Sequence, residues 1–181
     1  MAEKHHIIKE VRGFYAVQSL CVLRRTPGVS FDAVSMKRLG RIDAVDRVIH
    51  QGGAVSPGPV GSVARPWYMH TAQVDNLLVL HGKRVVDIYH SDHGLHQFEI
   101  TADRVCLDGK LLFDGPAMLT WYRHVFHRVQ SDHQVGSASL NFALRDESFD
   151  LDTNFSVYRL DTETGGFEVI RKGSLDQPGG N

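Results

Sequence analysis

Arg65 to Gly82, RPWYMHTAQVDNLLVLHG, sets an aromatic pair, a histidine, a glutamine and an aspartate ahead of an apolar run that ends at a glycine. Leu77 to His81 is apolar on both faces and predicts a central strand. Side chains alternate along a strand, so Tyr68 and His70 share one face and Trp67 and Met69 the other. Polar side chains that run into a buried strand cost free energy unless something partners them. A shorter echo lies at Trp121 to Val129, WYRHVFHRV, where His127 shares a face with Val125 and Val129 while Phe126 and Arg128 point the other way. The two stretches together predict a pocket inside a β-barrel.

Downstream of Gly82 the pattern is β throughout. Arg84 to His90 reads as a strand, and His96, Phe98 and Ile100 alternate with Gln97, Glu99 and Thr101. Asp108-Gly109 between VCL and KLLF is a strong hairpin signal. Ala117 to Tyr122, Val125 to Gln130 and Ser137 to Leu144 continue the series; in the last, Ala138, Leu140, Phe142 and Leu144 oppose Ser137, Ser139 and Asn141. Phe155 to Leu160 and Phe167 to Arg171 predict a closing hairpin around Thr164-Gly165-Gly166. Short, evenly spaced strands with glycine turns predict an all-β sandwich or barrel rather than βαβ units.

Upstream, Gly52 to Pro66 is too rich in glycine and proline for regular structure and too apolar for a free linker, so it predicts an ordered covering loop. Ile42 to Ile49 has some helical spacing, yet the β context favours a strand. Residues 1 to about 30 fit helix or strand equally, broken at Thr26-Pro27-Gly28. The expected division is an N-terminal extension packing on the barrel (1–40), the barrel (41–150), a C-terminal hairpin (151–175) and a frayed tail (176–181).

Composition removes whole classes of function. A chain of 181 residues with 42% apolar and 23% charged content can bury one domain's core. A net charge of −1 leaves no global basic field for nucleic acid or anionic lipid. Arg24-Arg25 and Lys37-Arg38 are short basic pairs that suit a solvated surface. Cys21 and Cys106 lie among apolar neighbours and read as buried thiols, with no CxxC spacing for structural zinc. No secretory signal or membrane-length apolar run is visible, so a cytoplasmic protein without membrane or nucleic-acid partners is expected. His5-His6 is only a pair and suggests no metal site. No helix-turn-helix and no G-x-S-x-G setting points to a regulator or a nucleophilic hydrolase.

Of the 11 histidines, His50, His81, His90, His93, His96 and His133 read as strand ends and loops, whereas His70, His124 and His127 are candidates for chemistry. A buried imidazole needs partners for both nitrogens, and a metal ion satisfies one of them. His70, Asp75 and His127 on neighbouring strands would form a two-histidine, one-carboxylate triad for a divalent ion, with iron, manganese, zinc or nickel all suited to such donors. The ordinary alternatives are a hydrogen-bonded core histidine and a turn-forming aspartate. Trp67, Tyr68, Trp121 and Tyr122 bracket both stretches, either as core or as a pocket wall for a ring-shaped or sugar-like ligand.

The spacing Gly61, Tyr68-x-His70, Asp75, Gly82 resembles the first motif of the cupin superfamily, G-x5-H-x-H-x3/4-E-x6-G. Here Tyr68 stands for the first histidine, Asp75 for the glutamate, and the opening glycine is one residue out of step. Gly115 through His127 is similar to the second motif, with Tyr122 and His124 in place of the proline and glycine and Ser131 in place of the asparagine. The resemblance covers about the central half of the chain. It implies a double-stranded β-helix, or jelly roll, metal ligands at His70, Asp75 and His127, and pairing into a homodimer.

Three functions follow as expectations. The first is a metal-dependent oxygenase-like or isomerase-like enzyme acting on a small molecule, with Tyr68 and His124 catalytic and Gln73, Trp67 and Tyr122 binding substrate. The second, which the resemblance also implies, is a metal-free sugar epimerase or isomerase built on histidine and tyrosine. The third is a non-catalytic barrel for a small ligand.

Overall fold

The computed structural model describes residues 6–176; His5 and residues 177–181 of the expected tail lie outside them. β1 (Ile7–Val11) and β2 (Tyr15–Ser19) form one hairpin, and β3 (Cys21–Thr26) and β4 (Val29–Ala33) a second. After α1 (Met36–Leu39) come β5 (Ala44–His50), β6 (Val55–Ser56), β7 (Trp67–Met69), β8 (Gln73–Gly82) and β9 (Arg84–His90). They are followed by β10 (Gly94–Ile100), β11 (Arg104–Leu107), β12 (Lys110–Asp114), β13 (Ala117–Trp121), β14 (Phe126–Ser131) and β15 (Ser137–Arg145). The one-turn helix α2 (Leu151–Asn154), β16 (Val157–Leu160), β17 (Phe167–Arg171) and a 3-10 turn at Gly173–Asp176 complete the chain.

These strands make two facing antiparallel sheets, as expected for a cupin-like jelly roll. One is ordered β1-β2-β13-β8-β15-β5; the other is β12-β11-β10-β9-β14-β7-β16-β17, with β6 beside β14. β8 lies between β13 and β15, the central place its two-sided apolar run requires. Asp108 and Gly109 both take positive φ in the turn between β11 and β12, which suits that dipeptide. The covering loop delivers β6 to β14 and closes a small Val60–Val63 bridge. Among the described residues, no helix is long and apolar enough to cross a membrane.

The main core lies between the sheets: Leu77 and Val79 of β8, Val86 and Ile88 of β9, Phe98 and Ile100 of β10, Leu119 of β13, and Val129 of β14. Trp67, Met69, Tyr89, Phe126 and Tyr158 pack on the outer side of the second sheet, under the C-terminal hairpin. Leu20, Leu39 and Met118 pack on the outer side of the first, against Leu78, Phe142 and Leu144. Cys21 is buried and Cys106 partly so.

The N-terminal region differs from its expected role. Phe14, Tyr15 and Val17 belong to the main core, and β2 pairs with β13 from Ala117↔Ser19 to Trp121↔Tyr15. Without β2, β13 would present an unpaired edge. Residues 7–19 are therefore part of the jelly roll rather than an extension resting on it. Met36 to Leu39 forms a short helix, and its Leu39 fills the outer cluster.

Candidate functional site

Inward-facing positions of β8 change character along the strand: Leu77 and Val79 are core, whereas Gln73 and Asp75 line a cavity of about 260 Å³. Tyr68 from β7, His127 from β14, Trp121 from β13, Asn141 from β15 and Phe155 after α2 reach the same cavity. The alternation along β15 is the predicted one, with the polar side turned inward. Phe142 and Leu144 pack outside while Asn141 faces the cavity and Ser137 and Ser139 are buried.

The expected convergence of His70, Asp75 and His127 is present. His70 Nε2 lies 3.0 Å from Asp75 Oδ2, and the two imidazole centroids are 4.6 Å apart. One candidate ligand atom from each residue lies within 4.8 Å of the other two, and all three residues are buried. His70 Nδ1 donates to the Asn154 carbonyl at 2.5 Å, while Nδ1 of His127 donates to Val125 O at 3.2 Å. Both bonds leave Nε2 as the atom available for other chemistry.

Asp75 Oδ1 accepts from Gln73 Nε2 and from Asn141 Nδ2, each at 2.7 Å. Gln73 Oε1 in turn accepts from Arg145 Nε at 2.9 Å. Both ends of Gln73 are engaged, so it positions Asp75 rather than standing free for substrate.

Charge in this cluster follows from the packing. Burial works against the charged His70 imidazole, but the Asp75 carboxylate, its hydrogen bond and the Asn154 carbonyl raise the pKa above the ordinary value. Burial likewise opposes the Asp75 anion, and His70 and its other donors hold the carboxyl well below the usual range. The His127 imidazole is pushed down to about 3 by burial and by His70 beside it. The opposite shifts of His70 and Asp75 favour an ion pair between them, with the His127 imidazole neutral beside it. Tyr68 is raised, chiefly by burial, and stays a protonated phenol.

The donor set also fits a divalent ion in kind and spacing. His70 and His127 each point one backbone-anchored ring toward the cluster, and Asp75 Oδ2 is the third donor. Such an ion would have to replace the proton now shared between His70 and Asp75. Two buried polar atoms in this region, Trp121 Nε1 and Ser139 Oγ, have no hydrogen-bond partner among the described residues.

Other predicted site residues lie elsewhere. His124 sits on an exposed turn with φ of 64°, and only its backbone touches the cluster, donating to His70 O. Trp67 faces away, under Arg128, whose guanidinium carbon stands 4.1 Å from the ring centroid. The Tyr122 hydroxyl donates to Glu10 Oε1 and the ring borders a different cavity. His124 and Tyr122 miss the cavity because β13 ends at Trp121 and the turn redirects the chain before β14 begins at Phe126.

Among the cavity residues that escaped the sequence reading are Asp46, Arg84 and Asn141, and Asn154 escaped it as a backbone acceptor behind His70. Arg84 was legible in principle, since it alternates in phase with Val86 and Ile88, both core residues.

No protein-family model matches the chain, and no curated protein matches it by sequence. Solved structures do. The dTDP-4-dehydrorhamnose 3,5-epimerase from Sulfolobus tokodaii superposes with a TM-score of 0.56 at 12% identity, covering 80% of this chain and 77% of that one. A TDP-quinovose 3,4-ketoisomerase from Campylobacter jejuni gives 0.52 at 13%, covering 78% and 91%. NovW, a 4-keto-6-deoxy sugar epimerase from Streptomyces spheroides, gives 0.52 at 11%, covering 86% and 79%. At such identities the likeness shows the fold alone, a jelly roll.

Proposed function

We propose that this chain is an isomerase or epimerase that moves a proton beside the carbonyl of a small, sugar-sized substrate, without a metal. One observation carries the reading: a buried His70–Asp75 pair lies against a second, neutral imidazole on the wall of a cavity between the sheets. The three solved neighbours support it, because each is named for epimerisation or ketoisomerisation of a sugar.

In this reading His127 Nε2 accepts the proton from the carbon next to the carbonyl, and the Tyr68 hydroxyl gives its proton to the carbonyl oxygen. The enol then returns its oxygen-bound proton to Tyr68. For epimerisation the enol turns over in the cavity before His127 returns the proton to the opposite face of the same carbon; for isomerisation His127 gives it to the former carbonyl carbon while Tyr68 takes its proton from the hydroxyl on the deprotonated carbon, so the carbonyl moves by one position. Asp75 offsets the second positive charge that the paired imidazoles carry during the step. Asn154 and Val125 hold both rings in place through their carbonyls.

The test is solvent deuterium exchange followed by NMR, on free and dTDP-linked 4-keto-6-deoxy sugars and on keto sugar acids, with a chelator present. Deuterium is expected at carbons flanking the carbonyl. The rate should fall by about 10²- to 10⁴-fold in His127→Asn and in Tyr68→Phe. Binding without exchange in any substrate class would leave only a ligand-binding barrel.

A second reading, a divalent ion held by His70, Asp75 and His127, is favoured by the mutual approach of their donor atoms. Such an ion would supply Lewis acidity toward the carbonyl oxygen. Stoichiometric metal in untagged protein, with exchange lost to chelator and restored by the metal, would select it over the first reading.

A further inference from the structure

The cavity has a second polar end that the proton-transfer cluster leaves unused. Arg84 opens β9 on the inward face, and its side chain lines the cavity although the residue is only 3% exposed. Its Nε donates to Ser137 Oγ at 3.0 Å and one terminal nitrogen donates to Val48 O at 3.2 Å. Ser137 Oγ is bonded to Ser131 Oγ at 2.9 Å, which meets His50 Nδ1 at 2.9 Å. All of these partners are neutral. Among the described residues no carboxylate offsets the Arg84 charge, and burial pulls its pKa down to about 10.

A guanidinium buried without an anion is an expensive arrangement. The other charged groups of the site are compensated: Asp75 has His70, and Asp46 accepts from Asn141. Near Arg84, His50 is pushed to about 4 by burial and by the Arg84 charge, so it adds no second cation. The far end of the cavity thus carries a single positive charge, and part of its donor capacity is already committed to Ser137 and Val48. That matches a carboxylate, singly charged and planar, better than a phosphate dianion, which calls for more cationic partners.

The register fixes where this anion lies relative to the reacting carbon. Arg84 is paired with Ser131 across β9 and β14, while His127 lies four residues back along β14, on the order of 13 Å of strand. Both side chains line the same cavity, so a short carbon skeleton can bridge the two ends.

We propose that the substrate carries a carboxylate that pairs with Arg84 while the carbon to be deprotonated lies at His127. The substrate class is therefore a keto or hydroxy acid of sugar size, such as a uronate, rather than a neutral deoxy sugar ring. This rests on the proton-transfer reading for the role of His127, but the anion site stands on Arg84 alone.

The experiment is calorimetric titration of the full chain with glycolate, pyruvate and D-glucuronate. Each acid is compared with its neutral amide or methyl ester, and inorganic phosphate is run alongside. At least one acid should bind about tenfold or more tighter than its neutral counterpart, the gap expected of one charge-assisted pair. Arg84→Gln should abolish that gap, Arg84→Lys should retain part of it, and His127→Asn should leave it intact. Circular dichroism establishes that each variant is folded; if Arg84→Gln is not, the Arg84→Lys arm and the wild-type panel decide. Equal binding of acid and ester across the wild-type panel overturns the proposal, as does a preference for phosphate over every carboxylate. A carboxylate preference without deuterium exchange would retain the anion site and sink the enzymatic reading instead.

Discussion

His127 and His50 are both kept neutral by burial beside a positive charge, His70 for one and Arg84 for the other. In the unfolded chain each imidazole takes up a proton near the ordinary 6.5, whereas in the fold this waits until about 3 and about 4. Between those values the unfolded state binds more protons, so stability falls as pH drops below 6.5. Each such group contributes a slope of at most about 1.4 kcal/mol per pH unit. His70 acts in the opposite sense: its raised pKa gives stability that is complete below the unfolded value and is lost as pH rises through the folded one. Urea melts of chelated protein from pH 7 to pH 4 should show declining stability, and His127→Gln should flatten the decline. An unchanged slope in that variant would mean that His127 is protonated in the fold.

Among the elements, the β8–β9 connection decides how the anion end of the cavity is built. Gly82 ends β8 with φ of 71°, and a Cβ there would run into the Gly136 carbonyl oxygen. Gly109, in the β11–β12 turn, has φ of 74° but open space around the same position. Alanine at Gly109 should cost only backbone strain, about 1 kcal/mol. Alanine at Gly82 should cost at least about 2 kcal/mol, because the strand must also move away from its neighbour. Comparable losses in the two variants, measured by urea unfolding, would remove close backbone packing as the reason for a glycine at the end of β8. The same register explains why Trp67 and Tyr68 part company: β7 pairs with β14 on one side and β16 on the other, so one face meets the cavity and the next lies beneath the C-terminal hairpin.

At the scale of the whole molecule, β1 and β5 are the edge strands of the first sheet among the described residues. β5 is the last strand there, with Val45 and Ile49 exposed, and the separate β3–β4 hairpin exposes Leu23, Val29 and Phe31. We infer that a second copy of the chain covers these side chains, since apolar hairpins and bare edges invite pairing. Light scattering should return a dimer, and Phe31→Glu should return a folded monomer. A wild-type monomer at every concentration measured would dismiss the pairing.

Alternation and turn chemistry within the sequence were enough to determine an all-β chain, its central strand, the Asp108-Gly109 hairpin and the opposed faces of Tyr68 and Trp67. Those features depend on a period of two residues and on local φ preferences, which the sequence carries directly. The meeting of His70, Asp75 and His127 was legible because all three share phase with a neighbouring core residue or motif spacing. Tertiary structure alone decided which face of β15 is interior, since Asn141 and Ser137 turn inward only because a cavity replaces hydrocarbon there. It likewise took the fold to bring Arg84 and His50 to the cavity and to leave His124 outside. These outcomes depend on where distant strands stop and cross, a property of the packed sheets rather than of any one stretch of chain.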